Sequence, residues 1–323
     1  FRKDGVLKTE MEPPKRAQLA ILSRIKILGT LDISEKRFPQ DGRIKTKVGD
    51  KVIDLRLSTL PTAYGEKAVM RILDQSGLKV NLEDLGFEPQ TLERFKHGIK
   101  QPYGIILVTG PTGSGKTTTL YSALSQLNDN KVNIMTAEDP IEYQLHGVNQ
   151  VGCKNEGGIT FANALKSFLR QDPDVIMVGE IRDYETAEIA IKASMTGHLV
   201  LSTLHTNDAP STIGRLTDMG VEAFMITSSV LIIQAQRLVR KVCADCRKET
   251  RPKASTLSAL DVTREMVRRI SLPHIDPKAL KFFEGTGCER CDNQGLRGRI
   301  GVYEVLSMTE SLRQCILKGG STT

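Results

Sequence analysis

Ile105-Ile106-Leu107-Val108-Thr109 runs straight into Gly110-Pro111-Thr112-Gly113-Ser114-Gly115-Lys116-Thr117. The first five residues read as a buried strand of a parallel sheet. The next eight match GxxxxGK[ST] in full. Their glycines let successive backbone N–H groups curl around phosphate oxygens, and a helix N-terminus adds favourable dipole. Leu120, Ala123, Leu124 and Leu127 give the following helix an apolar face. Strand, glycine-rich turn and helix together predict a phosphate loop at the edge of an α/β sheet. Pro111, Thr112, Gly113, Ser114, Gly115, Lys116, Thr117 and Thr118 are the expected nucleotide-binding residues. In such a loop the lysine, here Lys116, reaches the β- and γ-phosphates of ATP, and the hydroxyl of Thr117 holds Mg²⁺.

Ligands of parallel α/β sheets sit at the carboxyl ends of the strands. Three more predicted strands end in reactive side chains. Val132–Thr136 leads into Ala137-Glu138-Asp139-Pro140-Ile141-Glu142. Its carboxylates suit water activation or Mg²⁺ contacts, or else a solvated turn. Asp174–Val178 leads into Gly179-Glu180, a carboxylate closing an apolar strand. That is the arrangement that holds a Mg²⁺ shell or polarises a water, although a plain turn capped by Asp183 has the same pattern. His198–Leu204 leads into His205, either a γ-phosphate sensor or a histidine held by backbone.

Upstream, residues 1–75 read as a small α+β unit. Leu19, Leu22, Ile25 and Leu28 have helical spacing and stop at Gly29. Arg43–Val48 and Val52–Ser58 flank a Gly49-Asp50 turn signal. Residues 76–92, broken by Gly77, Asn81, Gly86 and Pro89, read as a linker. From residue 93 to 323, apolar strands alternate with helices, the pattern of a parallel sheet. Residues 237–323 are more charged and carry Cys243-x-x-Cys246 and Cys288-x-x-Cys291. Four thiolates are the set that a closed, structural Zn²⁺ site takes. The spacer between the pairs, residues 247–287, is longer than in common zinc ribbons. Cys153 and Cys315 stay as ordinary thiols.

Composition narrows the classes. The chain has 323 residues, 39% hydrophobic and 26% charged, enough for about two folded domains and unlike a disordered chain. No run approaches the ~20 apolar residues of a spanning helix, and no secretory h-region opens the chain, so metal explains the cysteines better than disulfides. A first residue of Phe1 rather than Met leads us to expect a fragment of a longer protein. The formal net charge is +7, a mild basic bias. Aromatic residues make up 5% and Trp is absent, which argues against base-stacking on single strands.

Taken together, four stretches resemble the boxes of the secretion ATPases of type II secretion and type IV pilus machines. They are Gly110–Thr119, Ala137–Tyr143 (the Asp box), Leu169–Asp183 (Walker B) and Ser202–Asn207 (the His box). Leu31–Arg37, Pro39–Arg43 and Asp54–Pro61 are similar to the N-terminal PAS-like (N2-type) domain of the same motors. The resemblance implies a RecA-like ATPase domain with a C-terminal zinc-binding subdomain. Retraction motors of the family lack the paired CxxC segment. Ser167–Gln171, Thr206–Pro210 and the long spacer look more like pilus-assembly (extension) ATPases, with type II secretion ATPases as the alternative.

The resemblance also implies roles. Glu138 would position or deprotonate the attacking water, and Glu180 would hold Mg²⁺ and its waters, or the two would exchange. Arg43 and Arg56 would reach the transition state from the N-terminal domain; otherwise they are solvated hairpin charges. An arginine so supplied is worth about 10³–10⁵ in rate. The implied assembly is a homo-hexamer, peripheral to the cytoplasmic side of the inner membrane, working with a platform protein and ring proteins. No nucleic acid and no membrane insertion are expected. A nucleic-acid translocase on the same core and a nucleotide-gated scaffold remain the competing classes.

Overall fold

The computed structural model describes residues 1–73, 81–154, 158–250 and 282–320. The chain divides into two compact units. One joins Phe1–Lys8 to Leu238–Ile300; the other joins Thr9–Arg237 to Gly301–Thr323. The first five residues of the expected linker, 76–80, and most of the cysteine spacer lie outside the described residues.

In the larger unit, helix α1 (Gln18–Leu28) ends at Gly29, as its apolar spacing predicts. A three-stranded antiparallel sheet follows: β3 (Gln40–Val48), β4 (Lys51–Thr62) and β5 (Gly65–Leu73), with β4 central. The β3–β4 pair turns at Gly49-Asp50, and both strands are longer than expected. One face packs Leu57 against α1 so closely that a Cβ on Gly29 would stand 2.4 Å from it. Lys26 is buried under α1, ion-paired with Glu66 and donating to the Glu35 carbonyl at 2.7 Å. That pair ties α1 to β5. Strand residues alternate faces, so the opposite face carries Arg43, Lys45, Asp54 and Arg56. Cross-strand register sets Arg43 opposite Arg56, and Arg56 opposite Arg71.

Helix α2 (Pro89–Ile99) begins four residues before the expected domain start, with Pro89 in its first turn. Seven strands among the described residues then form one sheet. Its strands are β6 (Gly104–Thr109), β7 (Ile134–Glu138), β8 (Asn149–Gly152), β9 (Val175–Val178), β10 (Leu199–Leu204), β11 (Val230–Val242) and β14 (Leu296–Ser307). Their order is β14-β11-β6-β10-β9-β7-β8. Every pairing from β11 to β8 is parallel. All six residues of β6 are buried, as a central parallel strand requires.

Side chains alternate across β6. Ile106 and Val108 join Phe95, Ile99, Leu120 and Leu124 of α2 and α3 (Lys116–Leu127) on one face. Ile105 and Leu107 face the core of α4 (Phe161–Phe168) and α5 (Tyr184–Met195) on the other. This helix–sheet–helix layering puts the carboxyl ends of β6, β10, β9 and β7 side by side. The Asp-box strand begins and ends two residues later than its apolar run suggests, so Glu138 is its last residue and not part of the loop.

The smaller unit is held by short pieces. Strands β1 (Arg2–Lys3) and β2 (Val6–Leu7) form a hairpin, and Asp4 accepts from the Gly298 backbone at 2.8 Å. Strands β12 (Arg247–Thr250) and β13 (Phe282–Gly285) pair antiparallel beside the cysteine knuckles.

Candidate active site

The phosphate loop joins β6 to α3. Gly110, Gly113 and Gly115 have φ of 143°, 80° and 91°, a region that L side chains rarely adopt. At Gly110 space excludes a side chain as well: a Cβ would stand 2.3 Å from the Gln236 carbonyl oxygen. Lys116 arches over its own loop and donates to the Gly110 and Pro111 carbonyls at 2.8 and 3.3 Å. Burial lowers its pKa, and the negative charge of Glu180 opposes that shift. Thr117 and Thr118 stand at the start of α3, both exposed. Ser114 is buried, and its Oγ has no hydrogen-bond partner among the described residues. Open backbone, a poised lysine and an unused hydroxyl fit a bound polyphosphate.

A buried glutamine pair on β11 braces this loop from behind. Gln236 donates to the Ser114 carbonyl at 2.8 Å and accepts from Thr119 Oγ1 at 2.8 Å. Gln234 donates in turn to Gln236 at 2.9 Å. No local pattern marks these glutamines, because the loop they brace lies more than a hundred residues away in the chain.

Glu180 and His205 come together. The register pairs Ser202 with Val178, and Thr203 Oγ1 donates to the Gly179 carbonyl at 2.7 Å. His205 Nε2 thus lies 3.2 Å from Glu180 Oε2, while Arg182 is hydrogen-bonded to Oε1. Burial pushes the Glu180 carboxyl up; Arg182 and then His205 outweigh it and hold it below the usual range. His205 is therefore a partner of the strand-end acid, and it is half-exposed. His198 bonds the Ala193 carbonyl at 2.8 Å, a structural role. Asp183 caps α5 by accepting from Thr186 N at 2.8 Å.

Glu138 sits differently. Only 3% exposed, it accepts from Thr136 Oγ1 at 2.6 Å, from Gln150 Nε2 at 2.9 Å and from the Tyr121 hydroxyl. The structure turns this acid inward, while Glu180 stands beside Lys116. Asp139 and Glu142 instead line a cavity of about 590 Å³ with Arg43, Lys45, Asp54 and Arg56. The two expected arginines therefore face the Asp-box loop, on the polar side of the small sheet. Arg71 extends the same row, and its sequence context does not single it out.

The smaller unit holds Cys243, Cys246, Cys288 and Cys291, whose sulfurs all lie within 4.8 Å of one another. The separations are 3.9 Å for Cys243–Cys288, 3.8 Å for Cys246–Cys291 and 3.7 Å for Cys288–Cys291. A tetrahedron with Zn–S bonds of about 2.3 Å has edges of about 3.8 Å. Cys291 Sγ also accepts from the Cys288 and Gly295 backbone N–H groups at 3.2 Å each. This donor set suits a thiolate–zinc centre with no open position. Cys153 is buried and Cys315 exposed; neither is a member of the cluster.

The family model for the type II/IV secretion system protein matches residues 1–323. The type IV pilus assembly ATPase PilB of Myxococcus xanthus is 52% identical over 322 residues, covering 99% of this chain and 55% of that protein. The type II secretion system ATPase E of Vibrio cholerae is 46% identical over 316 residues, covering 98% of this chain and 60% of that protein. The chain thus spans little more than half the length of these relatives. Among solved structures, the pilus retraction motor PilT with bound ADP superposes with a TM-score of 0.62 at 28% identity. That match covers 98% of this chain and 78% of that one.

Proposed function

The chain belongs to the type II/IV secretion system protein family, and we propose that it is the catalytic part of a motor ATPase that powers type IV pilus assembly. One observation carries the reading. At adjacent strand ends, the phosphate loop with Lys116 meets Glu180 and His205, a phosphate cradle beside an ionised acid. A protein that only bound nucleotide would have no need of that acid. Pilus assembly is favoured over type II secretion by relatives such as the PilB proteins of Myxococcus xanthus and Pseudomonas aeruginosa, at 52% and 50% identity. The type II secretion relatives at 46% to 48% keep export as the second reading.

In this proposal the backbone of 110–118 wraps the phosphates of ATP, and Lys116 leaves the carbonyls of its own loop to bind them. Thr117 and Glu180 would hold Mg²⁺, which neutralises phosphate charge when bound. Glu138 holds or deprotonates the attacking water in the orientation that its donors set. His205 keeps the Glu180 carboxylate in place and can report the γ-phosphate. Arg43 and Arg56, with Arg71 beside them, stabilise charge on the transferring phosphoryl group when the small sheet closes. Residues 1–75 as a PAS-like domain, 76–92 as a linker and 93–323 as a RecA-like ATPase domain belong to the proposal. So do zinc at the four cysteines and a homo-hexamer acting with platform and ring proteins at the cytoplasmic face of the inner membrane. Among the described residues no helix is long and apolar enough to cross a membrane.

Two variants test the site. Glu180→Gln is expected to bind ATP as the wild type does and to lose at least a hundredfold in turnover. Turnover within threefold of wild type would sink the assignment. Arg56→Ala is expected to lower turnover by at least tenfold, and unchanged turnover and affinity would remove Arg56 from the site.

A further inference from the structure

We propose that Tyr121 and Gln150 are positioning residues that clamp the Glu138 carboxylate and link the phosphate-loop helix to the Asp-box loop. The inference rests on the reading of Glu138 given above.

A buried carboxylate without donors is costly, so its donors decide where it points. Glu138 has three, and two come from outside its own strand. Tyr121 lies on α3 four residues after Thr117, on the same helix face. Its hydroxyl donates to Glu138 Oε2. Burial, followed by the contact with Glu138, pushes that hydroxyl far up, so it stays a proton donor at every working pH. Gln150 lies on the edge strand β8. Its two amide protons go to Glu138 Oε1 and to the Tyr143 carbonyl, each at 2.9 Å. Its carbonyl accepts from Leu145 N at 2.7 Å. Three partners thus fix the orientation of the amide, and two of them belong to the Asp-box loop.

The chain of contacts is continuous. It runs from the first turn of α3 through Tyr121 to Glu138, then through Gln150 to Tyr143 and Leu145. Tyr143 also meets the Tyr121 ring edge-on, with centroids 6.0 Å apart. The loop so fixed supplies Asp139, Glu142 and Tyr143 to the cavity that Arg43 and Arg56 line. A shift at the start of α3 or in that loop would therefore alter the reach of Glu138. No residue of the clamp lies in the phosphate loop, so ATP binding should not depend on it.

The test is a double-mutant cycle on the full chain, with turnover, affinity for a fluorescent ATP analogue and melting temperature measured for each variant. Tyr121→Phe and Gln150→Leu are each expected to lower kcat at least tenfold with affinity within twofold. In a Glu138→Gln background neither should lower kcat further, because the group they position is already lost. A general packing defect would lower kcat equally in both backgrounds, and that result would overturn the clamp. So would kcat within twofold of wild type for both single variants. Should Tyr121→Phe fail to fold, Gln150→Leu on the edge strand decides the question in the same way. If Glu138→Gln alone keeps wild-type turnover, the reading of Glu138 has failed and the clamp falls with it. That arm separates the two failures.

Discussion

Two carboxylates of one sheet edge, Glu138 and Glu180, have opposite surroundings. Glu138 is enclosed by neutral hydroxyl and amide donors; Glu180 is paired with Arg182 and His205. The folded state lowers the Glu180 pKa. That contribution to stability is present above the unfolded value and is lost as pH falls through the lowered folded value. Arg182 holds the carboxyl down against burial, so Arg182→Ala should move the acid limb of the turnover–pH profile to higher pH. An unchanged limb would mean that Glu180 does not set it. Sequence spacing alone singles out Glu180, Lys116 and His205 as candidates, because each follows an apolar strand or a glycine-rich loop. Tyr121, Gln150, Gln234 and Gln236 escape it. Each is a neutral polar residue inside an element; Tyr121, Gln150 and Gln236 bond to other elements, and Gln234 acts through Gln236.

The elements show what a strand pattern can and cannot carry. Strand β6 and helix α3 were legible as a unit, since an apolar run, a glycine turn and a helical face each have a local signature. Strand β5 was not, because Val69, Met70 and Ile72 are exposed on both of its faces and break the alternation that marks a strand. Strand β7 reads two residues too early, because Glu138 is a polar residue in a buried position and only its donors make that tolerable. The CxxC pairs were legible as a cluster of four cysteines, and its sulfur spacing is compatible with zinc. The four sulfurs lie within 4.8 Å of one another, and in the proposed reading a zinc ion there ties this unit together. Protein purified without chelator should carry one zinc per chain. Stripping it should open residues 238–300 to protease while ATP binding by the other unit persists, since structural zinc contributes folding energy directly. Protease resistance that survives metal removal would contradict this.

At the scale of the whole molecule, the proposed mechanism depends on closure. Arg43, Arg56 and Arg71 form one row on the small sheet, and the first two line the cavity with the Asp-box loop, not with the phosphate loop. In the proposed mechanism a nucleotide on 110–118 would draw arginines inward, or receive them from a neighbouring copy, to meet charge on the γ-phosphoryl. Either route couples hydrolysis to movement of a domain, which is what a motor needs. The second makes each site incomplete in a lone chain. The most direct test is ATP turnover per chain measured against protein concentration, from nanomolar to tens of micromolar, with Glu180→Gln alongside. The expected result is turnover that rises steeply, reaches a plateau and is lost in the variant. Turnover that is flat with concentration, or equal in the variant, would contradict the shared-site motor.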